Sequence, residues 1–313
     1  MCSSDLGLDP FARMALGSAC RVSAGRPDCP GEGLQDFSSG SPVHLAFLRA
    51  SSEASGGHRR SQALVTGEIE TEDETADRVD LGSFPQAGVA VVFGAGGGIG
   101  AALVEAIQAA KKFKHVVSFS RSTSPAIDLL DESSLERAAA LAADQGELRL
   151  VIDATGFLHD DRQGPEKSWR QLDAANIARA FALNAIGPAL IMKHVLPRLP
   201  RSGKAVFATL SARVGSIGDN RLGGWYSYRA SKAALNQLVR TAAVELARRS
   251  PDAICVALHP GTVATPLSAP FAASGADVHT PAAAAHNLLA VVDQLTADAN
   301  GGFFDWRGQP VPW

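Results

Sequence analysis

The chain has 313 residues, 46% of them hydrophobic and 19% charged, with a formal net charge of -3 at pH 7. That composition supports a substantial buried core and leaves no basic excess for a nucleic-acid partner. No run approaches the ~18 unbroken apolar residues of a membrane helix, and the start lacks a basic segment followed by an apolar core, which predicts a cytoplasmic protein with no membrane partner.

Residues 1–84 are rich in Gly, Ser and acidic side chains and show no sustained apolar period, so they read as a disordered or low-complexity leader. Within it, 43–48 and 63–65 could be stray strands and 68–80 looks like a solvated acidic linker. Three of the four cysteines, Cys2, Cys20 and Cys29, fall in this leader, and Cys255 falls in an apolar run as a core residue. Neither a disulfide framework nor metal spacing emerges, so no metal is predicted.

From residue 85 to 313 the texture becomes that of a single domain of repeated βα units. Strands are predicted at 89–93, 115–120, 148–154, 205–210 and 253–258, each nearly continuous in apolar residues, as strands covered on both faces should be. Between them lie helical patterns: Ile99, Leu103 and Ile107 share one face, and so do Ala230, Ala234 and Leu238. The fold class is α/β, a Rossmann-like doubly wound parallel sheet with helices on both faces.

The first chemical signal is Val-Val-Phe-Gly-Ala-Gly-Gly-Gly-Ile-Gly, where a strand ends at Gly94 and a helix begins near Gly98, Ile99 and Gly100. Glycine lets the backbone approach a pyrophosphate, and the free N–H groups at the helix start favour negative charge. At the end of the second strand, where an acidic residue would hold the ribose of NAD, Ser120 and Arg121 stand instead. A guanidinium suits a 2′-phosphate, so NADP(H) is expected in preference to NAD(H). Asp128, a little further on, could cap a turn or touch the adenine.

With these residues the chain resembles the short-chain dehydrogenase/reductase family, whose glycine pattern is matched by Gly94, Gly98 and Gly100. Further matches run to the C-terminus at Asp128, at Asp153-Ala154-Thr155-Gly156, at Asn184, at Tyr228-x-x-x-Lys232 and at Pro260-Gly261-Thr262. Gly215-Ser216-Ile217, Asp219-Asn220-Arg221 and Phe304-Asp305-Trp306 resemble the C-factor-like cell-signalling and carbonyl-reductase branch. The resemblance implies cofactor contacts from Ala154, Gly156, Pro260, Gly261, Thr262 and Val263. It also implies a carbonyl or alcohol substrate and pairing of subunits through the alanine-rich helices, as a homodimer or homotetramer.

Tyr228 and Lys232 lie four apart in a helical pattern, so they share a face. An ammonium and an oxidised nicotinamide both favour the phenolate, and Tyr228 can then exchange a proton with the substrate oxygen while Lys232 holds the ribose. The family implies that Asn184 keeps a relay water in place at a helix bend and that a serine hydrogen-bonds the substrate oxygen. The usual serine pair appears here as Ser211-Ala212, so Ser211 or Ser216 must substitute; Ser211 is preferred because it ends the strand. Phe93 and the 153–156 stretch depart from the family pattern in structural roles. The loop from Thr265 through Pro266, Leu267, Pro270 and Phe271 is mostly apolar and suggests a hydrophobic substrate, and Trp225 and Tyr226 read as lining its mouth. His159 and His259 read as turn or strand-end residues. The alternative function is an NADP-binding signalling protein with little or no turnover.

Overall fold

Short runs of aliphatic residues bounded by turn formers become the strands, and amphipathic alanine-rich segments become the helices that cover them. In the computed structural model, residues 79–271 and 278–313 are described. The expectations at 43–48, 63–65 and 68–78, with Cys2, Cys20 and Cys29, lie outside the described residues. In chain order come β1 (Val89–Phe93), α1 (Gly98–Ala110), β2 (His115–Phe119), α2 (Glu132–Ala143) and β3 (Leu148–Asp153). Then follow α3 (Ala174–Phe181), a π-helical stretch (Ala182–Ile186), α4 (Gly187–Val195), β4 (Ala205–Leu210) and α5 (Tyr226–Arg249). The chain closes with β5 (Ala253–His259), β6 (Thr262–Val263), β7 (Val278–His279), α6 (Pro281–Gln294) and β8 (Phe303–Asp305).

Six strands form one sheet in the order β2-β1-β3-β4-β5-β8, every neighbouring pair parallel. The order reverses between β1 and β3, the switch point where ligands settle in open α/β sheets. Alternate residues of each strand feed two cores. Val89, Val91 and Phe93 pack with Leu135, Ile191 and Leu235 on the side of α2, α4 and α5, whereas Ala90 and Val92 pack with Leu103, Ile107 and Leu288 on the side of α1 and α6. Truncating any one of these aliphatic side chains to Ala costs about 2–5 kcal/mol.

Two sequence expectations change here. Leu81 and Phe84, inside the segment read as leader, are buried in the second core; Phe84 meets Phe113 edge-on at 5.4 Å and Ser83 bonds Asp293. The face drawn through Ala230, Ala234 and Leu238 turns outward, because Ser231, Leu235, Val239, Ala243 and Leu246 carry the contacts to the sheet. The run Ala174–Arg198 does reach membrane-spanning length, with mean hydropathy 1.3, but it comprises α3, the π stretch and α4, which pack on α2 and α5.

The outer edge of β5 is closed in two pieces. β8 pairs only with Ala257 to His259; further back, the Asn300 side chain accepts from the Cys255 N–H at 2.9 Å and donates to the Ala243 carbonyl at 2.9 Å. Cys255 is buried in β5 and its thiol is pushed up to about 12 by burial, which makes it an inert core residue.

Candidate functional site

The loops after β1 and β3 meet at the switch point. Gly94 sits at φ +83°, and a Cβ there would lie 2.8 Å from the Ala154 carbonyl carbon; a Cβ on Gly100 would lie 2.2 Å from the Gly94 oxygen. Only glycine fits either position. Backbone bonds from Gly94 and Ala95 to the Phe119 carbonyl, and from Ala154 to the Phe93 carbonyl, hold the turn. Phe93 therefore needs no hydroxyl, and its ring packs on Phe119 at 5.3 Å. The other departure is also compensated: Asp153 accepts from Thr155 and, at 2.7 Å, from the Thr209 hydroxyl, which ties β3 to β4. Burial raises the pKa of its carboxyl.

Helix α1 starts at Gly97 with no side-chain cap and no acidic residue in its first turn. Its first N–H groups face a groove lined by Gly96, Gly97, Gly98, Ile99, Gly100, Arg121, Ala154 and Gly156. Glycine-lined, with uncapped amides and a guanidinium at its side, this groove fits the phosphates of a dinucleotide. Arg121 is exposed beside Ser122, and Ser120 bonds Ser122 at 3.0 Å, a hydroxyl pair that sequence reasoning missed. Asp128 caps a turn by accepting from Leu130 N–H at 2.9 Å, and it lines a second pocket that shares Gly96, Gly97 and Arg121 with the groove.

A cleft of about 410 Å³ adjoins the groove. Its walls include Leu158, Leu222, Trp225, Leu267 and Phe271, and Tyr228, Ser211, Ile99 and Pro260 line both spaces. Thr262, Val263 and Gly261 line the cleft rather than the groove's glycine end. Trp225 meets Tyr228 at 6.1 Å and Phe271 at 5.5 Å, both edge-on; Tyr226 does not line the cleft.

The tetrad residues converge. Asn184 sits in the π stretch, fully buried, accepting from Phe157 N–H at 2.7 Å and donating to the Phe157 carbonyl at 2.8 Å and Ser231 at 3.1 Å. Lys232 donates to the Leu210 carbonyl at 2.7 Å, with its Nζ 5.9 Å from the centre of the Tyr228 ring. A Cβ on Gly156 would lie between Lys232 and Asn184, at 3.7 and 3.8 Å. Ser211 faces the cleft. Ser216 does not line it, and its hydroxyl accepts from the Asp219 N–H at 3.0 Å.

Burial pushes the Tyr228 phenol up to about 12, opposing the lowering expected from the ammonium and an oxidised nicotinamide. Burial also lowers Lys232 to about 8, against an opposing pull from Asp153. In this state Tyr228 is a protonated donor.

Sequence reasoning missed what holds Tyr228. Gly223, Gly224 and Trp225 run through left-handed backbone, at φ +64°, +66° and +53°. Arg229 donates to the carbonyls of Val214, Gly223 and Gly224. From the other side, the buried Glu166 accepts Ser227 N–H at 3.1 Å and the Ser227 hydroxyl, while its backbone oxygen takes Trp225 N–H at 2.5 Å. It is a cap for α5 supplied from 61 residues away. No local signal could have revealed it. Arg213 joins Asp219 at 3.4 Å to Asp305 at 3.1 Å, bringing together two stretches singled out separately in the sequence. Beside them His259 is driven down to about 4, chiefly by burial and then by Arg213, with its Nδ1 buried and unpartnered.

A family model described as Enoyl-(Acyl carrier protein) reductase matches residues 87–294. The chain is 38% identical over 143 residues to C-signal of Myxococcus xanthus, covering 45% of this chain and 81% of that protein. It is 35% identical over 191 residues to 1-hydroxy-2-glutathionyl-2-methyl-3-butene dehydrogenase of Rhodococcus sp. strain AD45, covering 60% and 79%. Among solved structures, NADPH-bound carbonyl reductase from chicken fatty liver superposes with a TM-score of 0.64 at 24% identity, covering 73% of this chain and all of that one, a likeness of fold.

Proposed function

Because this chain belongs to the short-chain dehydrogenase/reductase family of oxidoreductases, we propose that it is an NADP(H)-dependent enzyme interconverting a carbonyl and an alcohol on a small, largely apolar substrate. The observation that carries the reading is Tyr228 standing where the apolar cleft opens into the glycine-lined groove. Gly94, Gly98, Ile99 and Gly100 would hold the pyrophosphate. Ala154, Gly156, Pro260, Gly261, Thr262 and Val263 would flank the nicotinamide half, and Lys232 the ribose. Arg121 with Ser120 and Ser122 supports a 2′-phosphate, since these donors stand where a carboxylate would repel it.

When bound, the nicotinamide supplies or accepts the hydride. In reduction, Tyr228 gives its proton to the carbonyl oxygen, Ser211 donates a hydrogen bond to the same oxygen, and Asn184 keeps the path for the replacement proton beside Lys232. Burial keeps this phenol protonated at neutral pH, as the acid role in that direction requires.

The direct test is titration with NADPH and NADH, followed by absorbance decay with apolar aldehydes, ketones and quinones. Tight NADPH binding with decay is expected; no binding of either nucleotide would end the reading. Arg121→Asp should shift preference toward NADH, and an unchanged ratio of affinities would remove Arg121 as the phosphate partner. A sensing role with little turnover is favoured by one observation, the alanine at position 212 together with the similarity to C-signal. NADPH binding without decay on any substrate would support it. Subunit pairing is proposed through α5, where Leu238 and Val244 stand exposed; light scattering in solution decides it.

A further inference from the structure

We propose that Asn236 is a positioning residue for Ser211, turning the Ser211 hydroxyl hydrogen toward the substrate oxygen; this rests on the reductase reading above. Ala212 offers no hydroxyl, so the β4 end presents one candidate beside Tyr228 in the cleft, Ser211. Its oxygen lies 2.7 Å from Asn236 Oδ1, both side chains buried, on the step of α5 that follows Tyr228 and Lys232 at four-residue spacing.

The amide of Asn236 has two orientations related by a half turn. In one, the hydroxyl spends its only hydrogen on Oδ1, and Nδ2 is left buried with no partner. An orphaned N–H group is the costlier kind of buried polar group, since a carbonyl oxygen tolerates the lack better. In the other orientation, Nδ2 donates to Ser211 Oγ across the same short distance. The N–H is then satisfied, and the hydroxyl hydrogen is free for an acceptor in the cleft. That acceptor is the carbonyl oxygen, whose negative charge grows as hydride arrives at carbon, and the chain of two donors strengthens as the charge develops. Ser211 keeps its proton throughout. The proton on the product alcohol comes from Tyr228.

The orphan on Asn236 and the missing hydroxyl at Ala212 thus have one explanation, a donor relayed from helix to strand end. Asn184 and Lys232 are already committed elsewhere, to Phe157 and Leu210, so no other buried amide or ammonium of the tetrad is aimed at Ser211.

The test is a cycle of Ser211→Ala, Asn236→Asp and the double variant, each read for kcat and KM of carbonyl reduction, NADPH affinity and thermal midpoint. A carboxylate at 236 can only accept, so it would hold the Ser211 hydrogen permanently. The expected result is a loss of at least tenfold in kcat for each single variant, no further loss in the double, and NADPH affinity unchanged. If Asn236→Asp lowers the thermal midpoint, Asn236→Ala replaces it in the cycle, with a smaller kcat loss that again disappears in the Ser211→Ala background. Full additivity, or wild-type kcat in Ser211→Ala, overturns the proposal while leaving the reductase reading intact. Absence of any turnover in the unmodified chain removes both.

Discussion

The cofactor side and the substrate side of this site are built by different means. Around Gly94 and Gly100 the shape is made by backbone: main-chain hydrogen bonds to the Phe119 and Phe93 carbonyls, and contacts that leave no room for a Cβ. Around Tyr228 it is made by long-range side chains, with Glu166 capping α5 from another loop, Arg229 gripping three carbonyls, and Arg213 joining Asp219 to Asp305. A backbone cradle tolerates almost any flanking sequence but no change at Gly94 or Gly100. A side-chain clamp tolerates substitution nearby but fails when a distant partner is lost.

The largest expected effect is chemical. Tyr228→Phe should lower turnover by about 10²–10⁴-fold with NADPH affinity and thermal midpoint unchanged; retained turnover in a steady-state assay would move the proton donor elsewhere. Next, Gly100→Ala should cost at least ~2 kcal/mol in denaturant unfolding, because its Cβ would meet the Gly94 oxygen. Gly97→Ala, whose Cβ would meet only that oxygen at 3.4 Å, should leave stability near wild type and weaken NADPH binding alone. Equal unfolding midpoints for the two would erase the backbone half of the contrast.

On the clamp side, Glu166→Ala removes a helix cap, worth about 0.5–2 kcal/mol, and should lower kcat several-fold while leaving NADPH affinity untouched. Glu166→Gln, which can still accept, should recover part of it. A smaller effect follows pH. Lys232 is held near 8, so reduction measured as kcat/KM should decline as pH rises through about 8 and its charge is lost. His259 works on stability in the opposite direction: its folded value, about 4, lies below the ordinary 6.5, so the stability of the neutral ring is whole above 6.5 and lost as pH falls through about 4. His259→Gln should flatten that acid limb in a thermal-midpoint series.

The same contrast accounts for what could be read in advance. Strands buried on both faces announce themselves as apolar runs, and the glycine turn is local, so the parallel sheet and the glycine turn were legible. Asn184, Tyr228 and Lys232 were legible because of a family pattern. Glu166 and Asn236 were not, since each acts on residues brought near only by the fold, and the Arg229 grip depends on a left-handed turn that no pattern announced. The burial of Tyr228 was hidden for a related reason: a spacing of four shows an ammonium nearby but not how much water the fold removes. The outward turn of Ala230 and Leu238 shows that periodicity finds a stripe without saying which stripe meets the sheet.

The single amide of Asn300 has a consequence for how this chain behaves in a crowd. Beyond the three residues that pair with β8, it stands in for a missing strand on the rim of β5, a segment whose side chains are almost all apolar. Without it the Cys255 N–H would be left bare on that rim, although the Gly301 N–H still covers the Cys255 carbonyl and the Gly302 carbonyl the Ala257 N–H, and a bare strand donor is a point at which a foreign strand can begin to pair. Asn300 therefore closes a donor on this rim through which such pairing could start.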